Sequence, residues 1–257
     1  MIETISTILK QEKIADGIWR MDLCAPEIAA AVEPGQFVDL YCRDKSRLLP
    51  RPISVYDEEG DTLSLIYAVV GKGTEEFAAY QAGEQVRVTG PLGHGFPIEE
   101  ALKAEEVLLV GGGLGIPPLQ FTAKMLKNRK PELSITSVLG FRSMPWIQEP
   151  FPSYGAVLNA SDDGACGFKG NVVDRLKDHF SRTPARKRVL FACGPIPMMK
   201  AIQQIQEEYG LECWFSLEER MGCGFGACYG CPAQTTEGLK RVCKDGPVFS
   251  GKEVIFS

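Results

Sequence analysis

Four cysteines, Cys223, Cys228, Cys231 and Cys243, stand in the stretch "RMGCGFGACYGCPAQTTEGLKRVCKDG" with the spacing C-x4-C-x2-C-x11-C. Iron-sulfur clusters need several converging thiolates, and neighbouring glycines allow the tight curvature that aims backbone amides at sulfur. The opening C-x4-C-x2-C is the spacing of a plant-type 2Fe-2S loop. Zinc competes, since four thiolates close a tetrahedral site, but zinc ligands usually come as a close pair at each end, whereas here three cluster and one is distant. Unligated thiols are the third reading. The chain has 257 residues and nine cysteines, so it is long enough to fold without disulfides, and the odd count forbids complete internal pairing. Cys24, Cys42, Cys166 and Cys213 read as small, partly buried hydrophobes.

A second chemistry is written in glycine. "LLVGGGLGIPPLQ" places Gly111, Gly112, Gly113 and Gly115 between an apolar strand and a helix whose first turn carries prolines. Such a turn clears space for a phosphate and offers it free amides, although the spacing is not the strict G-x-G-x-x-G and a purely structural turn competes. Cys193 in "FACGPIPMM" and the acidic pair Asp162 and Asp163 in "ASDDGACGFKG" fall at other strand ends, which favours a nucleotide crevice there. Nearer the N-terminus, Arg51 in "LLPRPISVY" suits a diphosphate and Ser54 a flavin ring atom, while Gly71, Gly73 and Thr74 of "LIYAVVGKGT" suit a diphosphate at a short helix start. A surface arginine and an ordinary turn are the bland alternatives. Taken together, the motifs describe a converter: nicotinamide exchanges two electrons as hydride, a 2Fe-2S centre passes one, and a flavin serves both. His94 in "GPLGHGFP" reads either as a cofactor contact or as an exposed loop histidine, and His179 as the solvent face of an amphipathic helix. Nothing resembles a Ser/His/Asp hydrolase, and no residue is assigned a catalytic role.

These residues need two kinds of scaffold. Up to about Pro97, short β-branched and aromatic runs bounded by Gly, Pro or acidic turns predict an antiparallel β-barrel, with one helix over "GTEEFAAYQAG", Gly73 to Gly83, capped by Thr74. Beyond it, "EVLLVGGG", "SITSVLGF", "GAVLNAS" and "RVLFACG" alternate with helical stretches, which predicts a parallel sheet in an α/β domain. The expected division is 1–98 for the barrel, 99–220 for the nucleotide-binding α/β domain and 221–257 for a small cluster-binding subdomain. The net charge of -5 is mild and the basic residues are scattered, which argues against nucleic acid. No secretory leader and no bilayer-length apolar run is visible, so a soluble cytoplasmic protein is expected.

The combination "RPIS", "GKGT", "GPLGHGF", "VGGGLGIPPL", "SDDGACGFKG", "CGPIPMM" and "SLEERMGCGFGACYGC" resembles the electron-transfer subunits of class 1B dihydroorotate dehydrogenases, themselves similar to the ferredoxin reductase superfamily. The resemblance covers essentially the whole chain. It implies an FAD barrel, an NAD domain and a 2Fe-2S tail, joined to a separate FMN-containing subunit that oxidises dihydroorotate, as a heterotetramer in pyrimidine biosynthesis. Electrons would run from FMN through the cluster to FAD and NAD+. It places FAD contacts on Arg51, Pro52, Ile53 and Ser54, on Ile66, Tyr67 and Ala68, and on Gly73 and Thr74, with cluster ligands at Cys223, Cys228, Cys231 and Cys243. The gap between Cys231 and Cys243 departs from the family pattern by being short. A ferredoxin-linked NAD(P)H oxidoreductase, or the flavin subunit of a sulfur or hydrogen enzyme, is the alternative; some relatives of that group carry aspartate at the first ligand position, so Cys223 favours the pyrimidine enzyme. Arg142 and Ser143 in "GFRSMP" lie where an extra phosphate of NADP would be read, whereas the resemblance implies NAD.

Overall fold

The computed structural model describes all residues except Gln148, Ala185 and Ser257. The chain divides into two compact units, one built from Met1–Gly95, Glu218–Gln234 and Gly238–Pro247, the other from Phe96–Leu217, Thr235–Glu237 and Val248–Ser257.

The first unit is a closed barrel. Strands β1 (Ile2–Ala15), β2 (Ile18–Cys24), β3 (Phe37–Tyr41), β4 (Arg51–Glu59), β5 (Thr62–Ala68) and β6 (Gln85–Leu92) follow the order β1-β2-β5-β4-β3-β6. β1 closes it: its first half pairs with β6 over Ile2 to Thr7, and its second half pairs with β2 from Thr7 onward, bending at an irregularity between Ile8 and Lys10. Closure leaves no free sheet edge. Ile8, Met21, Leu23, Val38, Leu40, Val55, Leu63, Leu65 and Val88 fill the interior, all fully buried. Two short helices, α1 (Pro26–Ala29) and α2 (Lys72–Ala78), join strands. The helix expected to run to Gly83 stops at Ala78, and Thr74 does not cap it from outside. Gly71 is the cap residue, and Thr74, in the first turn, accepts from the amides of Val70 at 2.9 Å and Gly71 at 3.2 Å.

The second unit begins with α3 (Ile98–Ala101), then β7 (Glu106–Gly112), a single turn at Gly113–Gly115, α4 (Pro117–Arg129), β8 (Ser134–Phe141), β9 (Ala156–Ser161), α5 (Val172–Arg182), β10 (Arg188–Cys193), α6 (Ile196–Ile205) and β11 (Leu211–Ser216). Every residue of β7 and β10 is buried, as expected for central parallel strands covered on both faces. After β11 the chain passes into the first unit, forms the hairpin β12 (Pro232–Thr235) and β13 (Gly238–Arg241), whose turn residues Thr235–Glu237 are grouped with the second unit, then the turn α7 (Val242–Asp245), and returns as β14 (Val248–Ser250). The sheet order is β14-β11-β10-β7-β8-β9, all parallel except β14, which pairs antiparallel to β11.

The start of the sheet holds a buried charge network. Glu106 is 0% exposed and is met by Thr136 Oγ1 at 2.9 Å, Arg188 Nε at 2.7 Å, Arg186 Nε at 3.1 Å and His179 Nε2 at 2.9 Å. His179 is therefore not on a solvent face: its side chain is 12% exposed, because the buried carboxylate attracts a polar partner that helical periodicity does not reveal. No helix among the described residues is long and apolar enough to cross a membrane.

Candidate functional site

The four cysteines of the glycine-rich loop lie within the first unit and form two close pairs. The amides of Ala227 and Cys228 point at Cys223 Sγ from 3.2 and 3.5 Å. Gly230 donates to Cys228 Sγ at 3.4 Å, and the Cys243 amide donates to Cys231 Sγ at 3.4 Å. Burial alone would raise the Cys223 thiol, but the amides of Cys228, Phe225 and Ala227 outweigh it and hold Cys223 down at about 6. Burial pushes the Cys243 thiol up to about 12, with Cys231 adding to the shift. Cys231 and Cys243 are buried, Cys223 is half-buried and Cys228 is exposed.

The short gap between Cys231 and Cys243 is spanned by the β12–β13 hairpin, which folds back so that the Val242 amide donates to the Cys231 carbonyl at 2.8 Å. Hairpin closure thus supplies what sequence distance does not. Arg241 latches the loop, donating to the Gly226 carbonyl at 3.0 Å while its Nε sits 3.2 Å from Asp245. Among the described residues no three His, Cys, Asp or Glu side chains converge on a single metal ion. Two thiol pairs, Cys223 with Cys228 and Cys231 with Cys243, together with amides aimed at sulfur, suit a centre with two thiolates on each of two irons.

Beneath this loop lies a residue that sequence reading passed over. Asp39, on β3, is 1% exposed, and neither carboxylate oxygen has a hydrogen-bond partner. Gly224 takes φ +75°, and a side chain there would begin 2.0 Å from Asp39 Oδ2. Desolvation first, and then the charge of Cys223, push Asp39 up to about 7. The available signal was a lone acid among the apolar and aromatic residues of "FVDLY".

The flavin-type residues share the same barrel. Arg51, Pro52, Ile53 and Ser54 open β4, and Ile66, Tyr67 and Ala68 close β5. Arg51 donates to the Leu49 carbonyl, and no carboxylate among the described residues pairs with it. Its guanidinium lies against Gly73, where an added Cβ would fall 2.1 Å from Nε. A cavity of about 670 Å³ borders Arg51, Leu48, Leu49, Glu219 and Arg220, a size that admits a small cofactor. The hydroxyl of Thr74 is buried and committed to the turn at Val70 and Gly71, which leaves Arg51 as the better anion partner. Tyr67 is buried, and its hydroxyl accepts from Gln11 Nε2 at 2.8 Å.

In the second unit, strand register gathers the nucleotide-type residues. Cys193 lies opposite Gly111 at the carboxyl end of the sheet, and Asp163 lies on the turn that follows β9 along the same edge. Gly112 ends β7, Gly113 and Gly115 form the turn before α4, and a Cβ on Gly115 would sit 2.1 Å from the Cys193 carbonyl oxygen. The close approach of these two backbones excludes any other residue at 115. Asp163 accepts from the Ala165 amide at 2.9 Å and is held below the ordinary carboxylate range, chiefly by a hydrogen bond from Ser143. Carboxyl edges of parallel strands are where open α/β sheets bind ligands. His94 is exposed and takes part through its backbone, donating to the Gly246 carbonyl at 2.6 Å.

A barrel carrying the arginine-proline strand, followed by an α/β unit with a glycine turn at its carboxyl edge, defines a reductase of the flavin- and nicotinamide-dependent ferredoxin reductase class. At the level of fold, a ferredoxin NADP+ reductase from Neisseria gonorrhoeae agrees, with TM-score 0.65 at 18% identity over 81% of this chain and 92% of its own. Residues 218–255 match the family described as the iron-sulfur cluster binding domain of dihydroorotate dehydrogenase B. The electron transfer subunits of dihydroorotate dehydrogenase B (NAD(+)) from Shouchella clausii and Geobacillus thermodenitrificans are each 40% identical over 258 residues, covering 97% of this chain and 96% and 97% of theirs. The chain belongs to this family of dihydroorotate dehydrogenase B electron transfer subunits, and it is an oxidoreductase subunit with FAD, 2Fe-2S and NAD-linked chemistry. A chain from the NADH-dependent reduced ferredoxin-NADP oxidoreductase structure is also similar, with TM-score 0.87 and 32% identity over 98% of this chain and 90% of that one.

Proposed function

We propose that this subunit receives electrons from an FMN-containing dihydroorotate dehydrogenase partner and passes them to NAD+ in pyrimidine biosynthesis, in a heterotetramer of two copies of each chain. The observation that carries the reading is the four-thiol loop with amides on sulfur, in a chain that matches its relatives over nearly their full length. When bound, the cluster supplies one-electron relay and the flavin supplies exchange between single electrons and hydride.

The chain's own residues do the holding. Cys223, Cys228, Cys231 and Cys243 ligate iron, and the amides of Ala227, Cys228 and Gly230 stabilise negative charge on sulfur. Arg51 neutralises the FAD diphosphate, beside Gly73, while the backbone of Pro52 to Ser54 and of Ile66 to Ala68 lines the flavin ring. Gly111, Gly112, Gly113 and Gly115 clear the phosphate path of NAD at the sheet edge, with Cys193 and Asp163 flanking the nicotinamide end.

The test is anaerobic co-purification from the native host, with FAD, FMN and iron analysis and an assay of dihydroorotate-dependent NAD+ reduction. All three cofactors with that activity in one complex support the reading. Cys228→Ser should lower partner-to-NAD+ transfer by about 10–100-fold or more, on the scale of lost metal-site partners, while sparing flavin-dependent NADH oxidation. Unaltered transfer in that variant would reject the route. The similarity to the ferredoxin-NADP oxidoreductase chain supports a second reading, a ferredoxin-linked subunit. FAD and iron co-purifying with another partner, without dihydroorotate activity, would select it.

A further inference from the structure

Asp39 is expensive where it stands. The β3 register sets it opposite Pro52 and Thr89, and Thr89 directs its hydroxyl to Glu3 at 3.4 Å. No Lys or Arg lies within ion-pair distance of Asp39 among the described residues, and both of its oxygens are buried without a donor. A buried polar group left unmatched destabilises the fold, and an apolar residue of the same shape would remove that cost. The barrel itself gains nothing visible from an acid here, since Phe37, Val38 and Leu40 around it are ordinary core residues.

The side chain is instead shaped to the loop. Gly224, between Cys223 and Phe225, presents its bare Cα to Asp39 Oδ2, and its left-handed backbone keeps that face open. Charge and hydrogen bonding close to an iron-sulfur centre are principal determinants of its potential. We propose that Asp39 is a positioning residue for the cluster loop whose buried carboxyl sets the reduction potential of the iron-sulfur centre. This rests on the reading of Cys223, Cys228, Cys231 and Cys243 as cluster ligands.

The experiment compares the anaerobically purified full chain with Asp39→Leu and Asp39→Asn, measuring iron per chain, thermal midpoint after iron removal, and the potential by redox titration followed by electron paramagnetic resonance. Asp39→Leu should retain iron, match or exceed the wild-type thermal midpoint, and change the oxidised-to-reduced ratio at a fixed poise by about tenfold, which is ~59 mV for a one-electron centre. If Asp39→Asn shifts with leucine, the acid's charge is the lever; if it stays with wild type, the polar side chain's fit against Gly224 is, and either result supports the proposal. Unchanged potential and spectra in both variants with iron retained would overturn it. So would loss of thermal stability in the iron-free leucine variant, because the acid would then serve the barrel. A wild-type chain lacking any cluster signal would instead sink the ligand reading itself, a distinguishable failure.

Discussion

His179 Nε2 lies 2.9 Å from Glu106 Oε1, joining the middle of the chain to the first residue of β7 across 73 positions. The contact belongs to a buried set in which Glu106 also meets Arg188, Arg186 and Thr136, at the end of the sheet opposite Cys193 and Gly111. It positions strands and takes no part in binding at the carboxyl edge.

Acid should therefore unfold this protein partly through one carboxylate. Burial by itself would raise Glu106, but hydrogen bonds from His179, Arg188 and Thr136 overcome it and hold the group at about 2, below its ordinary 4.5. A depressed carboxylate stabilises the fold above the unfolded value, and that contribution is lost as pH falls from about 4.5 toward about 2. The shift corresponds to about 3 kcal/mol. Glu106→Gln should lower stability by that order at pH 7 and flatten the acid limb. Urea titrations at several pH values would check this, and an unchanged acid slope would count against it.

Gly224→Ala should cost the cluster before it costs the fold. The left-handed backbone adds about 1–2 kcal/mol of strain for a residue with a side chain. The new methyl would also press on Asp39 Oδ2 from 2.0 Å. The expected outcome is a lower iron-to-protein ratio and weaker visible iron-sulfur absorbance, with normal FAD content. Full iron occupancy would show that the loop relaxes freely.

Gly115→Ala addresses the other unit. Its Cβ would meet the Cys193 carbonyl oxygen at 2.1 Å, a backbone atom that cannot swing aside. Opening the turn should raise the KM for NADH by about tenfold, equivalent to ~1.4 kcal/mol, without altering FAD or iron content. Steady-state NADH oxidation by the purified subunit measures it. An unaffected KM would remove the glycine turn from the nucleotide site.

The sequence disclosed those features whose signals are local. Strands such as "TLSLIYAVVG" announced themselves through β-branched residues and turns, and the cysteine spacing displayed the loop. Features made by distant pairing stayed hidden. Barrel closure depends on β1 dividing its partners between β2 and β6, and the edge strand β14 is only three residues long, beneath any periodic signal. The placement of His179 was misread because an amphipathic helix pattern cannot show a buried acid on another strand. Asp39 was overlooked for a related reason: an acid among apolar residues reads as a solvent face until the loop above it is folded into place.

The excursion of the chain between β11 and β14 has a consequence for proteolysis. The segment bearing the cysteines is secured on both sides, because β11 is embedded beside β10 and the returning end pairs through β14, with Gln203 donating to the carbonyls of Gly251 at 2.7 Å and Val254 at 2.8 Å. A single protease cut near the exposed Tyr229 would thus sever the polypeptide without releasing a fragment. The nicked molecule would migrate as one particle under native conditions and as two chains only after denaturation.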